Sequence, residues 1–101
     1  TRYVNFIEMN FPVFRNEALA RYMDVYDGRL CGWGNDWWYC SVLDTRSKMN
    51  AAIVGGVCIE NPEENGEMES FMDWDAREEQ WKKAMLRLNL EEWEPKSLGF
   101  A

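Results

Sequence analysis

The chain has 101 residues, enough for one small domain, and 47% of them are hydrophobic, enough for a packed core. Its formal net charge of −7 argues against binding to nucleic acid or to an anionic membrane surface, because an acidic surface repels phosphate groups. It contains no histidine, which excludes Ser-His and Cys-His catalysis and Cys/His zinc sites within these residues, and no apolar run of membrane-spanning length.

The first third of the chain is predicted to form a strand and a helix. Residues 3–9 are rich in β-branched and aromatic types, which favour a strand. Asn16 can cap a helix that runs to about Asp27 and ends at Gly28. One face of this helix is apolar, with side chains at i, i+3, i+4 and i+7: Leu19, Tyr22, Met23 and Tyr26.

A glycine-rich turn over residues 31–36 is predicted to lead into a second helix. Residues 37–44 lack strict alternation of polar and apolar types, so a helix capped by Asn35 is favoured over a strand. Asp36 would then lie in the first turn, where the helix dipole favours a carboxylate. The polar residues 44–50 are predicted to form a loop.

The second half of the chain is predicted to contain one strand and one helix. The apolar run 51–59 is typical of a buried strand, with a kink or bulge at its two adjacent glycines. The acidic stretch 60–73 is predicted to be a surface loop. Asp75 and Glu78 form a capping box for a helix with an apolar face made of Trp81, Ala84, Met85 and Leu88.

The predicted order of elements is strand, helix, helix, strand, helix, which is an α/β arrangement of few strands and about three helices. A two-stranded sheet is rarely stable alone in water. We therefore expect the sheet to be incomplete, and an N-terminal half or a partner chain to complete it. Residues 1–101 would then be a single domain or a domain fragment.

The three cysteines, Cys31, Cys40 and Cys58, predict free thiols rather than a disulfide framework. No pair has Cys-x-x-Cys spacing, and an odd number cannot all pair within the chain. Reduced, mostly buried thiols are typical of intracellular proteins, so we expect a cytoplasmic protein.

The densest cluster of functional residue types is Gly32-Trp33-Gly34-Asn35-Asp36-Trp37-Trp38. Glycines let the backbone turn tightly beside a ligand, and the flat face of Trp33 suits a sugar ring. Asp36 can take a proton from an attacking hydroxyl. The alternative interpretation is structural: Trp37 and Trp38 anchor the core, and Asp36 supports the start of a helix.

The Gly-Trp-Gly-x-Asp pattern at residues 32–36 resembles a motif of bacterial and plant glycosyltransferase-like proteins. It is also similar to the Trp-Gly-x-Glu-Asp region of galactosyltransferases, where an acid contacts the acceptor hydroxyl. Residues 6–14 resemble the first group's strand and Pro-Val-Phe turn, and residues 52–54 resemble its next strand. The group's closing helix and tail are matched by Arg77, Trp81, Leu90, Trp93, Leu98 and Gly99.

The resemblance implies a GT-A-type fold, of which this chain would be the C-terminal, acceptor-side portion. A nucleotide-sugar and a divalent metal, Mn or Mg, would be held by an Asp-x-Asp motif upstream, and no metal ligand is predicted within this chain. Asp73-Trp74-Asp75 has the right residue types, but it opens a predicted helix near the C-terminus, so we interpret it as capping.

The implied activity is transfer of a sugar from a nucleotide-sugar donor to a hydroxyl of a glycan or another acceptor, with Asp36 as the general base. The substrate site would be formed by Trp33, Gly34, Asn35, Trp37 and Glu8, with Trp33 as the acceptor platform. Glu8 fits equally well a strand-edge carboxylate that is paired to an arginine.

Two alternatives stay open at the level of sequence. A non-catalytic carbohydrate- or protein-binding module is favoured by two departures from the resembled proteins: Gly55 stands where many of them carry Asp, and Asn61 where many carry His. The second alternative is a structural subunit that docks a partner chain through an apolar strand edge. If the donor half is missing, the isolated 101 residues are expected to be inactive.

Overall fold

The computed structural model describes residues 1–29, 32–60 and 74–100 of the chain. Their helices and strands follow in the order β1 (Arg2–Val4), α1 (Asn16–Met23), α2 (Asn35–Val42), β2 (Ala52–Ile53), α3 (Trp74–Leu88) and β3 (Ser97–Phe100). The predicted mixed α/β class and the order of the first five elements are confirmed. β3 is a strand that the sequence pattern did not indicate.

The three strands form an antiparallel sheet with β1 in the middle, between β2 and β3. Arg2 pairs with Ile53 of β2 on one side and with Phe100 of β3 on the other. The register along β3 shifts between Tyr3 and Val4. The first and last strands of the described chain are therefore neighbours in one sheet.

The strand predicted over residues 3–9 ends at Val4, because the buried Asn5 redirects the chain. The backbone N–H of Asn5 donates to the carbonyl of Lys96 at 3.1 Å. Its side chain binds the same segment twice: Nδ2 donates to the carbonyl of Glu94 at 3.1 Å, and Oδ1 accepts from the N–H of Lys96 at 2.8 Å. The prediction is therefore wrong beyond Val4, where the chain leaves the sheet.

The loop that follows β1 is also held by α2, by the turn after α2 and by Trp93 of the C-terminal segment. The carbonyl of Asn5 accepts from Thr45 Oγ1 at 2.8 Å and from Trp93 Nε1 at 3.0 Å. Two residues later, the N–H of Ile7 donates to Cys40 Sγ at 3.4 Å. These bonds hold the loop after β1 against α2.

α1 is shorter than predicted and ends at Met23 rather than near Asp27. Arg15, not Asn16, occupies the N-cap position, and no side chain caps the helix there. Of the predicted apolar face only Tyr22 is buried. Since packing supplies most of the stability of a short helix, the single buried contact explains the early end.

An aromatic core joins the helices. It is built from six buried side chains: Tyr22, Trp38, Tyr39, Cys40, Trp81 and Ala84. The ring of Tyr22 meets those of Trp38 and Tyr39 edge to face, with centroids 5.6 and 5.7 Å apart. Such pairs add to the stability that burial alone provides. Trp38, only 2% exposed, is an anchor of this core.

The buried strand predicted over residues 51–59 is wrong for most of its length, since only Ala52 and Ile53 are in a strand. A turn that contains Gly56 at φ +83° follows. Most of the segment is on the surface, with exposed side chains at Ile53, Val54, Val57 and Ile59. Strand-forming residue types are not sufficient here, because the segment 51–59 pairs with β1 only at Ala52 and Ile53.

α3 begins at Trp74, and Asp75 lies inside its first turn, so Asp75 is not the N-cap that the predicted capping box required. The predicted core face is confirmed for Trp81, Ala84 and Met85, whereas Leu88 is exposed. Residues 61–73, which contain most of the predicted acidic loop and Asp73 of the Asp-Trp-Asp sequence, lie outside the described residues. None of the helices in the described ranges is long and apolar enough to cross a bilayer.

The cysteines differ in their environments. Cys40 is fully buried and free, as expected. Cys58 is also free but exposed, so it is an exception to the expectation of mostly buried thiols. Cys31 lies outside the described residues.

Candidate functional site

The turn that begins α2 depends on a glycine. Gly34 is the N-cap residue, at φ +87°, a left-handed conformation that glycine adopts without strain. Asn35 is therefore not the cap that was predicted; it is the first helical residue and is buried. The N–H of Asn35 donates to the carbonyl of Gly32 at 3.2 Å, and the N–H of Trp38 donates to that of Gly34 at 3.0 Å. The buried Asn35 thus stabilises the turn through its backbone hydrogen bond to Gly32.

Asp36 lies in the first turn of α2, as predicted. Its Oδ1 accepts a hydrogen bond from the N–H of Trp37 at 2.9 Å, and the backbone of Met9 also donates to the carboxylate. Burial raises the pKa of the Asp36 carboxyl above its ordinary value, and the negative charge of Glu8 raises it further. The backbone hydrogen bonds act in the opposite direction but do not cancel this effect.

Glu8 belongs to the loop after β1 and is exposed. It lies near enough to Asp36 for the two negative charges to interact. Among the described residues, no arginine or lysine forms an ion pair with Glu8, so the described part of the chain does not support the alternative of a carboxylate paired to an arginine. Two of the predicted site residues thus form a pair of carboxyl groups whose charges interact.

Two buried tyrosines lie beside this carboxyl pair. Tyr39 donates its hydroxyl proton to the carbonyl of Ile7 at 2.6 Å, whereas the buried hydroxyl of Tyr22 has no hydrogen-bond partner among the residues that the structure describes. Burial raises the pKa of both phenols, and the charge of Asp36 contributes to both shifts. Both phenols therefore remain neutral at physiological pH.

Trp33 lies on the other side of the turn and is 38% exposed. Its ring packs edge to face against that of Trp74, with centroids 5.3 Å apart and planes at 84°. The guanidinium carbon of Arg77 lies 4.6 Å from each ring centroid. One side of the predicted sugar platform is therefore occupied by residues of α3, which the sequence interpretation had not placed at the site.

The predicted substrate contact Trp37 packs against two other aromatic rings. It is half-buried, and its ring packs on that of Phe6 at 4.1 Å and against that of Trp93 at 5.1 Å. It joins the loop after β1 to the C-terminal segment, which is a structural contribution to the site.

Two cavities of the described surface lie away from this turn. One of about 420 Å³ is next to Arg46 and Trp93, and one of about 720 Å³ lies between α1 and the sheet. Neither is lined by Asp36, Glu8 or Trp33. The candidate site is thus a surface turn that carries the carboxyl of Asp36 and the exposed indole of Trp33.

The described residues do not fit a divalent metal. Mn and Mg bind preferably to several oxygen ligands, and no group of three or more acidic or cysteine side chains is found in the described ranges. Glu8 and Asp36 alone do not form such a set. No chemical step is therefore derived through a metal held by this part of the chain.

Comparisons of the chain with protein-family models, with curated proteins and with solved structures find no match.

Proposed function

We propose that this chain is the acceptor-side portion of a GT-A-type, glycosyltransferase-like protein that transfers a sugar from a nucleotide-sugar to an acceptor hydroxyl. Asp36 is the general base. The observation that carries the proposal is the carboxyl of Asp36, which stands at the start of a helix, beside Glu8, with a raised pKa. Perturbed carboxyl groups of this kind cluster at functional sites.

In the proposed reaction, Asp36 accepts the proton of the acceptor hydroxyl. The oxygen then attacks the anomeric carbon, and the nucleotide diphosphate leaves with the electron pair of the broken C–O bond. A carboxylate with a raised pKa is a stronger base, provided that it is ionised at the working pH. The charge of Glu8 contributes to this basicity by disfavouring the loss of the proton from Asp36.

The remaining predicted site residues orient these groups. The exposed ring of Trp33 provides an apolar face for the acceptor sugar. Gly34 allows the tight turn that joins Trp33 to Asp36, and Asn35 and Trp37 hold this turn against the core.

The test is sugar transfer by the longest natural form of the protein, with Asp36→Asn compared with the wild type. Removal of a general base typically lowers kcat by about 100-fold or more. Asp24→Asn is a matched control, because Asp24 is an exposed residue at the end of α1 and the charge change is the same. Unchanged turnover in Asp36→Asn would exclude Asp36 from the mechanism.

A second candidate is a non-catalytic carbohydrate-binding module. The exposed indole of Trp33 favours it, because stacking on a sugar requires neither nucleotide nor metal. In this case an oligosaccharide would quench tryptophan fluorescence in the 101-residue chain, and Asp36→Asn would bind as well as the wild type. The same variant therefore separates the two candidates.

A further inference from the structure

We propose that Arg77, in the corner formed by the rings of Trp33 and Trp74, binds an anionic group of the ligand, so that the preferred sugar carries a carboxylate or a phosphate. The inference deepens the proposed function and rests on it only for the role of Trp33 as a sugar platform. It assigns a substrate class to that platform.

The position of the guanidinium is defined by two aromatic faces. The planes of Trp33 and Trp74 are nearly perpendicular, at 84°, and the Arg77 carbon is 4.6 Å from both centroids. Trp74 and Arg77 are three residues apart on α3, so one helix turn supplies one wall and the cation together. Cation–π attraction to both rings holds the group in place.

Three buried hydrogen-bond donors of α3 have no acceptor among the described residues. Nε and Nη1 of Arg77 are buried and have no hydrogen-bond partner. Nε1 of Trp81, four residues further along α3, is also buried without a partner. Buried polar groups are normally paired, and an unpaired set composed of donors alone favours a ligand that supplies acceptor oxygens.

The described acidic side chains do not meet this requirement. Asp27 lies within ion-pair distance of both Arg29 and Arg87, and Glu91 binds Arg46, but no acidic side chain of the described ranges forms an ion pair with Arg77. Within the described ranges, the guanidinium of Arg77 thus contacts aromatic rings rather than an acidic side chain.

The chemistry of the guanidinium selects the ligand group. Its planar set of donors matches the oxygens of a carboxylate or a phosphate, which it can bind with two parallel hydrogen bonds. The net charge of −7 repels anions in general, so any affinity for them must come from a local site such as this one. An acidic sugar could place its ring on Trp33 and its anionic group on Arg77.

The experiment titrates the 101-residue chain with glucose, glucuronate and glucose 6-phosphate at constant ionic strength, with tryptophan fluorescence as the readout. We expect one of the two anionic sugars to bind at least tenfold more tightly than glucose. Comparison of glucuronate with glucose 6-phosphate shows whether the favoured anionic group is a carboxylate or a phosphate. Arg77→Gln should abolish the difference, whereas Lys82→Gln, which removes the same charge from an exposed neighbour on α3, should preserve it.

Two further measurements test whether the guanidinium of Arg77 itself binds the anion. Arg77→Lys retains the charge but not the planar fork, so it should lose most of the preference while circular dichroism shows a folded chain. In the wild type, the NMR signal of Arg77 Nε–H should shift when the favoured anionic sugar is added.

Equal affinity for glucose and both anionic sugars would overturn the role of Arg77 and leave the sugar platform intact. Binding of inorganic phosphate or acetate that depends on Arg77, without any effect of the sugar ring, would support the anion site and contradict the platform. No response to any of these ligands would overturn the proposal for Arg77, whereas the transfer assay with Asp36→Asn tests the proposed function independently.

Discussion

A β-carbon on Gly34 would lie 2.2 Å from Cδ2 of Trp81, so the indole of α3 packs directly on the backbone of the turn that begins α2. No side chain larger than hydrogen fits between them. The turn that links Trp33 to Asp36 therefore owes its position to α3 as well as to its own glycines.

Gly34→Ala is expected to destabilise the chain by about 4 kcal/mol, which combines the strain of a non-glycine residue at positive φ with the overpacking against Trp81. Urea denaturation followed by far-UV circular dichroism measures the loss. Gly56→Ala is the matched control, since Gly56 has φ +83° but open space around it, and about 1 kcal/mol is expected there. Equal losses at the two positions would show that the contact with Trp81 contributes nothing.

Asn5→Ala is expected to cost about 2–3 kcal/mol, because it removes two side-chain hydrogen bonds and leaves the N–H of Lys96 without its acceptor. Hydrogen exchange should show lost protection at the amides of β3, which this bridge ties to β1. Asn50→Ala is the control: its single bond to the carbonyl of Leu43 is made by an exposed residue, so a loss below about 1 kcal/mol is expected. Unchanged protection of β3 would contradict the role of Asn5.

The importance of Asn5 shows why the sheet was harder to predict than the helices. Its partners lie about ninety residues away in the sequence, and patterns of neighbouring residues do not contain such contacts. The predicted strands were therefore too long, and β3 was missed because its pairing partner, β1, lies at the other end of the chain. Helix positions depend more on local sequence and were closer to the prediction.

Like the fold, the candidate site was predictable where it depends on local sequence and was not predictable where it depends on tertiary contacts. Asp36 in a first turn follows from local sequence, and the structure agrees. The approach of Glu8 to Asp36 and the packing of Arg77 against Trp33 are tertiary contacts between separate segments. The sequence interpretation named Glu8 through a resemblance only, and treated Arg77 as part of a closing helix.

Asp27 is expected to titrate with a pKa of about 2. Its carboxylate accepts hydrogen bonds from Arg29, and the positive charge of Arg87 also stabilises its ionised form. NMR titration of the carboxyl carbon measures it. The folded state then gains stability from this group above the ordinary pKa of an aspartate and loses it as the pH falls towards about 2. Arg29→Ala should raise the pKa more than Arg87→Ala, and the reverse order would contradict the assignment of the main cause to Arg29.

Asp36 is expected to have the opposite dependence on pH. Since its pKa is raised in the folded state, the unfolded chain releases this proton first, and stability falls as the pH rises from the ordinary aspartate pKa through the raised one. The melting temperature of Asp36→Asn should therefore exceed that of the wild type at pH 7 and approach it below pH 4. Glu8→Gln should lower the pKa of Asp36 and narrow this difference, because it removes the neighbouring negative charge. If the difference in melting temperature is the same at both pH values, the carboxyl of Asp36 is not perturbed, and its assignment as the general base loses its main support.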